Sequence, residues 1–226
     1  MTTIGDKLQQ VRERIARACD ACGRDPAEIT LLAVSKTFGP EAVRDAHAAG
    51  QLAFGENYLQ EAVEKMALLA DLRLAWHCIG PIQSNKTRLV AQHFDWAHTV
   101  DRLKVAQRLS EQRLLHLPPL QVCVQVNIDG AATKAGVAPE AALDLARAVA
   151  ALPRLRLRGL MSIPQPQPDF DAQFAVHRQL ADLAARLRDA GLPIDTLSMG
   201  MTADLEAAIH AGSTLVRVGT AIFGAR

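Results

Sequence analysis

Short apolar runs alternate with amphipathic stretches along almost the whole chain. Eight runs have the composition of strands, at 29–35, 51–55, 74–80, 95–100, 120–128, 155–163, 194–200 and 214–224. Stretches with helical spacing of their apolar residues lie between them, at 40–49, 57–70, 84–93, 101–115, 138–151, 169–190 and 202–211. Strands that are apolar at nearly every position are typical of a parallel sheet buried on both faces. The pattern therefore predicts an α/β fold.

Two architectures fit this alternation, an open doubly wound sheet and a closed (β/α)8 barrel, also called a TIM barrel. Eight strands, the last ending close to residue 226, favour the barrel, and the chain length of 226 residues is in its range. No linker composition divides the chain. We predict one domain spanning 1–226, with residues 1–24 forming an extra N-terminal helix that packs on the barrel.

Charge and hydropathy exclude several classes of function. The chain has 25 basic and 24 acidic residues, so it offers no large field for nucleic acid or an anionic membrane. Its apolar runs are shorter than a membrane span. The N-terminal stretch carries Asp6, Glu13 and Asp20 and lacks the long apolar core of a secretory signal. We expect a cytoplasmic protein without membrane or nucleic-acid partners.

The four cysteines carry no clear metal pattern. Cys19 and Cys22 have C-x-x-C spacing, which occurs in redox pairs and zinc sites, but no second such pair accompanies them. Both fall on the apolar face of the N-terminal helix, and Cys78 and Cys123 lie within strand-like runs. We expect reduced thiols and no metal.

Lys36 directly follows the buried run LLAVS, an unusual place for an ammonium group. It could be exposed, could snorkel, or could be an amine with a lowered pKa that reacts with a carbonyl. In a barrel, active-site groups come from the C-terminal ends of the strands. Those ends supply one lysine among polar and small residues, namely Asn57, His77, Asp101, Asn127, Ser162, Ser198, Gly200, Arg217, Gly219 and Thr220. This convergence favours the third interpretation.

The ends of strands seven and eight have the composition of a phosphate-binding site. Barrels often bind phosphate there, and here those ends read Ser198-Met199-Gly200 and Gly219-Thr220. A Schiff-base lysine opposite a phosphate site suits an aldehyde that carries a phosphate. Pyridoxal 5'-phosphate fits, with a phosphosugar on a Schiff-base enzyme as the alternative and a scaffold without cofactor as a third. An arginine such as Arg217 beside the pyridine nitrogen would keep that nitrogen unprotonated.

The chain resembles the pyridoxal phosphate homeostasis family, the YggS or proline synthetase co-transcribed group, nearly from end to end. The motifs that carry the resemblance are LLAVSKT, FGENYLQE, WHCIGPIQSNK, FDWAHTVDR, PRLRLRGLMSI, DTLSMGMTADLEAAI and GSTLVRVGTAIFGAR. The resemblance implies the alanine racemase N-terminal type of barrel and an internal aldimine on Lys36. Thr202 departs from the family pattern, which usually has serine there.

The same resemblance assigns further residues to cofactor binding. It implies that Arg217 faces the pyridine nitrogen, while phosphate is held around Ser198, Gly200, Gly219 and Thr220. It also implies that Asn57, His77 and Met161 line the pocket. Roles for Lys86 and Lys134 stay open at this stage, and Glu61 and Lys65, four residues apart, are predicted to support a helix surface.

Two functions remain to be weighed, a racemase and a carrier of the cofactor. Racemisation needs two bases on opposite faces of the substrate, and racemases with this barrel take a second base, a tyrosine, from an added domain. The chain is expected to lack that domain, and its one tyrosine is Tyr58. We therefore predict a monomeric carrier in vitamin B6 homeostasis, not an enzyme apart from weak racemase-like activity, that delivers pyridoxal phosphate to apo forms of its enzymes.

Overall fold

Eight parallel strands close into a barrel in the computed structural model of the chain, which describes residues 2–131 and 134–224. The strands are Thr30–Val34 (β1), Ala53–Glu56 (β2), Ala75–Cys78 (β3), Trp96–Val100 (β4), Leu120–Gln125 (β5), Leu155–Met161 (β6), Thr196–Ser198 (β7) and Leu215–Val218 (β8). Each strand pairs with the next, and β8 pairs with β1. The closed barrel confirms the predicted fold class and excludes the open doubly wound sheet. Of the predicted domain 1–226, positions 1, 132, 133, 225 and 226 lie outside the described residues.

Helices follow the strands around the outside of the barrel. In the described part of the chain they are Ile4–Ala21 (α1), Pro40–Ala48 (α2), Leu59–Leu68 (α3), Thr87–His93 (α4), Leu103–Gln112 (α5), Ala142–Ala150 (α6), Phe170–Asp189 (α7), Leu205–His210 (α8) and Thr220–Phe223 (α9). Short 3₁₀ turns lie at Pro26–Glu28 and Pro139–Ala141. Each predicted helix is present, with ends that differ by up to four residues.

The predicted eighth strand, 214–224, is wrong in its second half. β8 ends at Val218, and the residues after Gly219 form α9. Ile222 and Phe223 are buried in this short helix, where Phe223 stacks on Phe38 with ring centroids 5.2 Å apart. Apolar composition alone does not separate a strand from a short buried helix, which explains the error.

The predicted N-terminal helix is present as α1 and is part of the fold. Thr3 begins it with a capping box, in which its hydroxyl accepts the amide of Asp6 and the Asp6 carboxylate accepts the amide of Thr3. The apolar face is buried through Leu8, Val11 and Ile15. No helix among residues 2–131 and 134–224 is long and apolar enough to cross a membrane.

The cysteines all lie within the described residues and are free thiols. Cys19, Cys78 and Cys123 are buried, and burial raises the pKa of both Cys78 and Cys123 to about 12. Cys22 is partly exposed, and its thiol donates to the carbonyl of Ala18. The described residues hold no group of three or more His, Cys, Asp or Glu side chains that could bind a metal ion.

Gly159 is required for the close approach of β6 and β7. It pairs with Thr196, and a Cβ atom at position 159 would overlap the Thr196 carbonyl oxygen. The register of β6 against β5 also shifts here, between Val122 and Cys123. Only glycine therefore fits at position 159 while β6 and β7 remain paired.

We predict that Gly159→Ala lowers the free energy of unfolding by about 3 kcal/mol or more, because the overlap involves backbone that cannot rotate away. The control is Gly39→Ala, at a position with φ −71° and open space around the added methyl group. Urea unfolding of both variants is the measurement. If both substitutions lowered the free energy of unfolding by the same small amount, the close approach of β6 and β7 at Gly159 would be contradicted.

Candidate functional site

A cavity of about 320 Å³ lies at the C-terminal end of the barrel, where several strands end. We call it the mouth cavity, and its lining consists of Val34, Lys36, Asn57, Ile79, Ile163, Met201, Thr202, Ala203, Arg217, Gly219 and Thr220. Five residues predicted from the sequence are in this lining: Lys36, Asn57, Arg217, Gly219 and Thr220. His77, Met161, Ser198 and Gly200 are not, and their predicted contacts with a ligand stay predictions.

Lys36 lies in a tight turn at the end of β1. Thr37 follows it with a φ of 67°, in the left-handed region that β-branched residues rarely adopt. Such a conformation costs about 1–2 kcal/mol and persists only where neighbouring contacts hold it. The amide of Thr37 donates to Glu61 Oε1 at 2.7 Å, and the amide of Phe38 donates to the Ser35 carbonyl at 3.0 Å. These bonds fix the turn that carries Lys36.

A buried ion pair lies directly behind this turn. Lys65 Nζ bonds to Glu56 Oε1 at 2.7 Å and to the Ser35 carbonyl at 2.9 Å, and the Ser35 hydroxyl donates to the same Glu56 oxygen. Burial raises the pKa of Glu56, and the charge of Lys65 opposes that change. The predicted pair of Glu61 and Lys65 forms at 3.2 Å, but Lys65 is buried and is not a surface residue.

Arg217 presents a buried charge beneath the mouth cavity. It donates through Nη1 to the Ser198 carbonyl and hydroxyl, both at 2.7 Å, and through Nη2 to the Ser162 carbonyl at 2.8 Å. Burial lowers the pKa of Arg217 to about 10, so the guanidinium stays charged at neutral pH. Among the described residues, no carboxylate forms a salt bridge with it.

Ser198 connects Arg217 to two buried histidines. His98 Nδ1 lies 2.8 Å from Ser198 Oγ, and His77 Nδ1 lies 2.9 Å from His98 Nε2. The Ser198 hydroxyl oxygen accepts a hydrogen bond from Arg217. The hydroxyl hydrogen is therefore free to donate to His98 Nδ1, which leaves the proton of the neutral His98 ring on Nε2. His98 Nε2–H then donates to His77. Burial lowers the pKa of both histidines, that of His77 to about 3, so both are neutral near pH 7.

His77 lies toward the other end of the barrel. It stacks on Trp96, with ring centroids 5.2 Å apart. Both residues line a second cavity of about 450 Å³, which we call the base cavity, formed mainly by the first residues of strands. Its lining is Glu28, Thr30, Ala53, Ala75, His77, Trp96, Arg158, Asp195, Thr196, Thr214 and Leu215. The hydrogen-bonded side chains from Arg217 through Ser198 and His98 to His77 thus extend through the barrel interior.

Two threonines and a glycine form the polar side of the mouth cavity. Thr202 Oγ1 lies 3.3 Å from Thr220 Oγ1, and Gly219 lies against β1, where a Cβ atom would be 3.3 Å from the Val34 carbonyl oxygen. Asp204 supports the loop before α8, because it accepts the Met201 amide at 2.6 Å and bonds to His177 at 2.9 Å. Sequence reasoning noted Thr202 only as a departure from a motif.

Gly200 and Met161, two of the predicted residues outside the mouth cavity lining, pack within the fold. Gly200 has a φ of +93°, and a Cβ there would lie 2.5 Å from the Cβ of Ala208, so only glycine fits between β7 and α8. Met161 is fully buried at the end of β6, and pairs with Ser198. The apolar lining of the mouth cavity escaped sequence reasoning, which searched strand ends for polar groups: Val34, Ile79, Ile163, Met201 and Ala203.

Residues 7–226 match the sequence model of the alanine racemase N-terminal domain. The chain is 61% identical to the pyridoxal phosphate homeostasis protein of Pseudomonas aeruginosa, over 100% of this chain and 97% of that protein. It is 56% identical to the protein of the same name in Escherichia coli, over 100% of this chain and 98% of that one. The chain belongs to the family of pyridoxal phosphate homeostasis proteins.

A solved structure of similar sequence matches the barrel closely. PipY of Synechococcus elongatus, in its structure with PLP bound, has a TM-score of 0.86 and 36% sequence identity to the chain. The match covers 98% of this chain and 100% of PipY. The predicted resemblance to the pyridoxal phosphate homeostasis family is confirmed.

Other lysines and the tyrosine lie at the edge of the site in this family member. Tyr58 is about half exposed, and together with Lys86 it lines a neighbouring cavity of about 280 Å³. Asn57 lines both this cavity and the mouth cavity. Lys134 donates to the Ile163 carbonyl at 2.8 Å and lies 3.5 Å from Asp129. Both lysines lie outside the lining of the mouth cavity.

We predict that the neutral state of His77 makes stability depend on pH. The unfolded chain takes up a proton near pH 6.5, whereas folded His77 resists protonation down to about pH 3. Stability is therefore full above pH 6.5 and is lost as the pH falls, by about 2 kcal/mol for this group at pH 5. Urea unfolding at pH 7.5 and pH 5 should show a smaller pH dependence for His77→Gln. An unchanged dependence would mean that His77 is not held neutral.

Proposed function

We propose that the chain binds pyridoxal 5'-phosphate in the mouth cavity and acts as a carrier in its homeostasis. The observation that carries this proposal is the presence of Lys36, Arg217 and the pair Thr202 and Thr220 in one cavity of about 320 Å³. The family relatives are named pyridoxal phosphate homeostasis proteins, and the PipY structure has PLP bound, which supports the same ligand here.

The residues of the mouth cavity fit each part of this cofactor. Lys36 supplies the amine for its aldehyde, and Thr202, Gly219 and Thr220 supply hydroxyl and small-residue surface for its phosphate. Arg217 keeps its charge, so it would donate to the ring nitrogen and hold it unprotonated. When bound, the cofactor supplies an aldehyde that condenses with amines and a ring that can withdraw electrons.

The distribution of bases favours a carrier over a racemase. Among the described residues that line the mouth cavity, the titratable groups are Lys36 and Arg217, and an arginine is a poor base. The neutral histidines lie below Arg217, and Tyr58 lines a different cavity. Racemisation needs a base on each face of the substrate. One lysine is enough to hold and release an aldehyde.

The proposal extends to the location, assembly state and recipients of the protein. We propose that the protein works as a cytoplasmic monomer that passes the cofactor to apo-enzymes. Free thiols suit a reducing compartment. Lys36, Arg217 and the two threonines that would hold the cofactor all come from the same chain. Its partly exposed rim residues, Ile163 and Met201, would be the first to meet a recipient enzyme.

We predict that the purified protein retains one equivalent of pyridoxal phosphate through gel filtration, with a visible absorption band, and that Lys36→Ala loses both. The reason is that Lys36 supplies the covalent bond. Lys104→Ala, which removes an exposed lysine on α5, is the control and should behave as the unchanged protein. A phosphosugar enzyme or a scaffold without cofactor would show no band in any of the three proteins.

We also predict that the loaded protein racemises L-amino acids far more slowly than about 1 per second, an ordinary enzyme rate. The mouth cavity offers one base, so reprotonation from the opposite face depends on water. An assay across the common L-amino acids, read by chiral chromatography, is the measurement. Turnover at ordinary enzyme rates would contradict the carrier function and indicate that the protein is a racemase.

A further inference from the structure

One helix, α3, holds both peptide groups that flank Lys36. On the C-terminal side, the Thr37 amide donates to Glu61 Oε1 at 2.7 Å. On the N-terminal side, the Ser35 carbonyl accepts from Lys65 Nζ at 2.9 Å. Glu61 and Lys65 lie one helical turn apart and bond to each other at 3.2 Å. A single ion pair therefore holds the chain immediately before and after Lys36.

The backbone of this turn needs such support. In the described part of the chain, Thr37 is the one non-glycine residue with a positive φ. A β-branched side chain disfavours that conformation, so it persists only because other contacts fix it. Strain of this kind, adjacent to a reactive side chain, is common at functional sites. Because the backbone sets the direction in which a side chain leaves it, the bond to Thr37 also restrains where Lys36 points.

The ion pair is itself fixed in the barrel wall. The side chain of Lys65 is 4% exposed, and its ammonium bonds to Glu56, whose side chain is fully buried. The Glu56 oxygen that receives Lys65 also accepts the Ser35 hydroxyl at 2.7 Å. Glu61 differs, because its side chain is 38% exposed, so it can be replaced without opening the core.

We propose that Glu61, anchored by Lys65, is a positioning residue that directs Lys36 into the mouth cavity for its reaction with the cofactor, through its bond to the Thr37 amide. This inference rests on the proposed function. In that reaction the neutral Lys36 amine forms a C=N bond to the aldehyde carbon and loses both of its hydrogens, and the C=O bond breaks so that the aldehyde oxygen leaves with them as water. Holding the turn in advance lowers the entropy lost when the bond forms.

Four substitutions on α3 test this role. Glu61→Ala and Glu61→Met both remove the acceptor for the Thr37 amide, and Met retains the side-chain length. Glu61→Gln retains an acceptor oxygen. Glu64→Ala is the matched control, because Glu64 is an exposed carboxylate on the same helix that accepts a bond from Gln60. Thermal unfolding without cofactor checks that each variant is folded.

Two ligands separate positioning from general damage to the cavity. Pyridoxal 5'-phosphate can form the covalent bond, whereas pyridoxine 5'-phosphate carries an alcohol in place of the aldehyde and cannot. We expect the Ala and Met variants to bind pyridoxal phosphate about 10-fold more weakly, the typical effect of one lost bond to a charged group. Their affinity for pyridoxine phosphate should not change, and the Gln and Glu64 variants should stay within about threefold for both ligands.

Three results would overturn the inference. The Ala and Met variants could bind pyridoxal phosphate as tightly as the unchanged protein, or they could lose affinity for both ligands equally, which would indicate a distorted cavity. Glu61→Gln could also lose as much as the Ala variant, so that the acceptor would not matter. If the unchanged protein forms no covalent bond with pyridoxal phosphate, the proposed function itself fails, and that outcome is distinct from all three.

Discussion

The pairing of β1 with β8 is the interaction on which the site depends. Leu32 pairs with Arg217, and Ala33 with Val218, so the two ends of the chain meet in one wall of the barrel. Lys36 continues from one of these strands and Gly219 from the other, and both reach the mouth cavity. Neither half of the chain could form this cavity alone, because the amine and the arginine come from opposite ends of the sequence.

Closure of the barrel places charge where water cannot reach it, and each buried charge is stabilised differently. Lys65 and Glu56 neutralise each other and are also bonded to Ser35. Removing one member of such a pair typically costs about 3–5 kcal/mol, because the other is left charged and unpaired. Arg217 is stabilised instead by carbonyl oxygens and a hydroxyl, from Ser162 and Ser198. That arrangement leaves its positive charge available to a ligand in the mouth cavity.

Much of the fold was predictable from the sequence, whereas the surroundings of the site were not. Periodicity located the strands and helices because each buries a regular face, although it extended β8 into α9, where the burial is similar. The positions of the predicted strand ends indicated that Lys36, Asn57 and Arg217 lie close together, and all three line the mouth cavity. Sequence spacing could not show that Lys65 turns inward to Glu56, since that contact depends on how α3 packs against β1 and β2. It also could not separate His77, at the base cavity, from residues at the mouth.

We propose that Lys36 is the group that holds the cofactor aldehyde. The most direct test is to load the protein with pyridoxal phosphate, reduce it with borohydride and locate the added mass by peptide mass spectrometry. We expect one added cofactor per chain, on the peptide that contains Lys36. Attachment mainly to another lysine, such as Lys86 or Lys134, or the absence of any adduct, would contradict it.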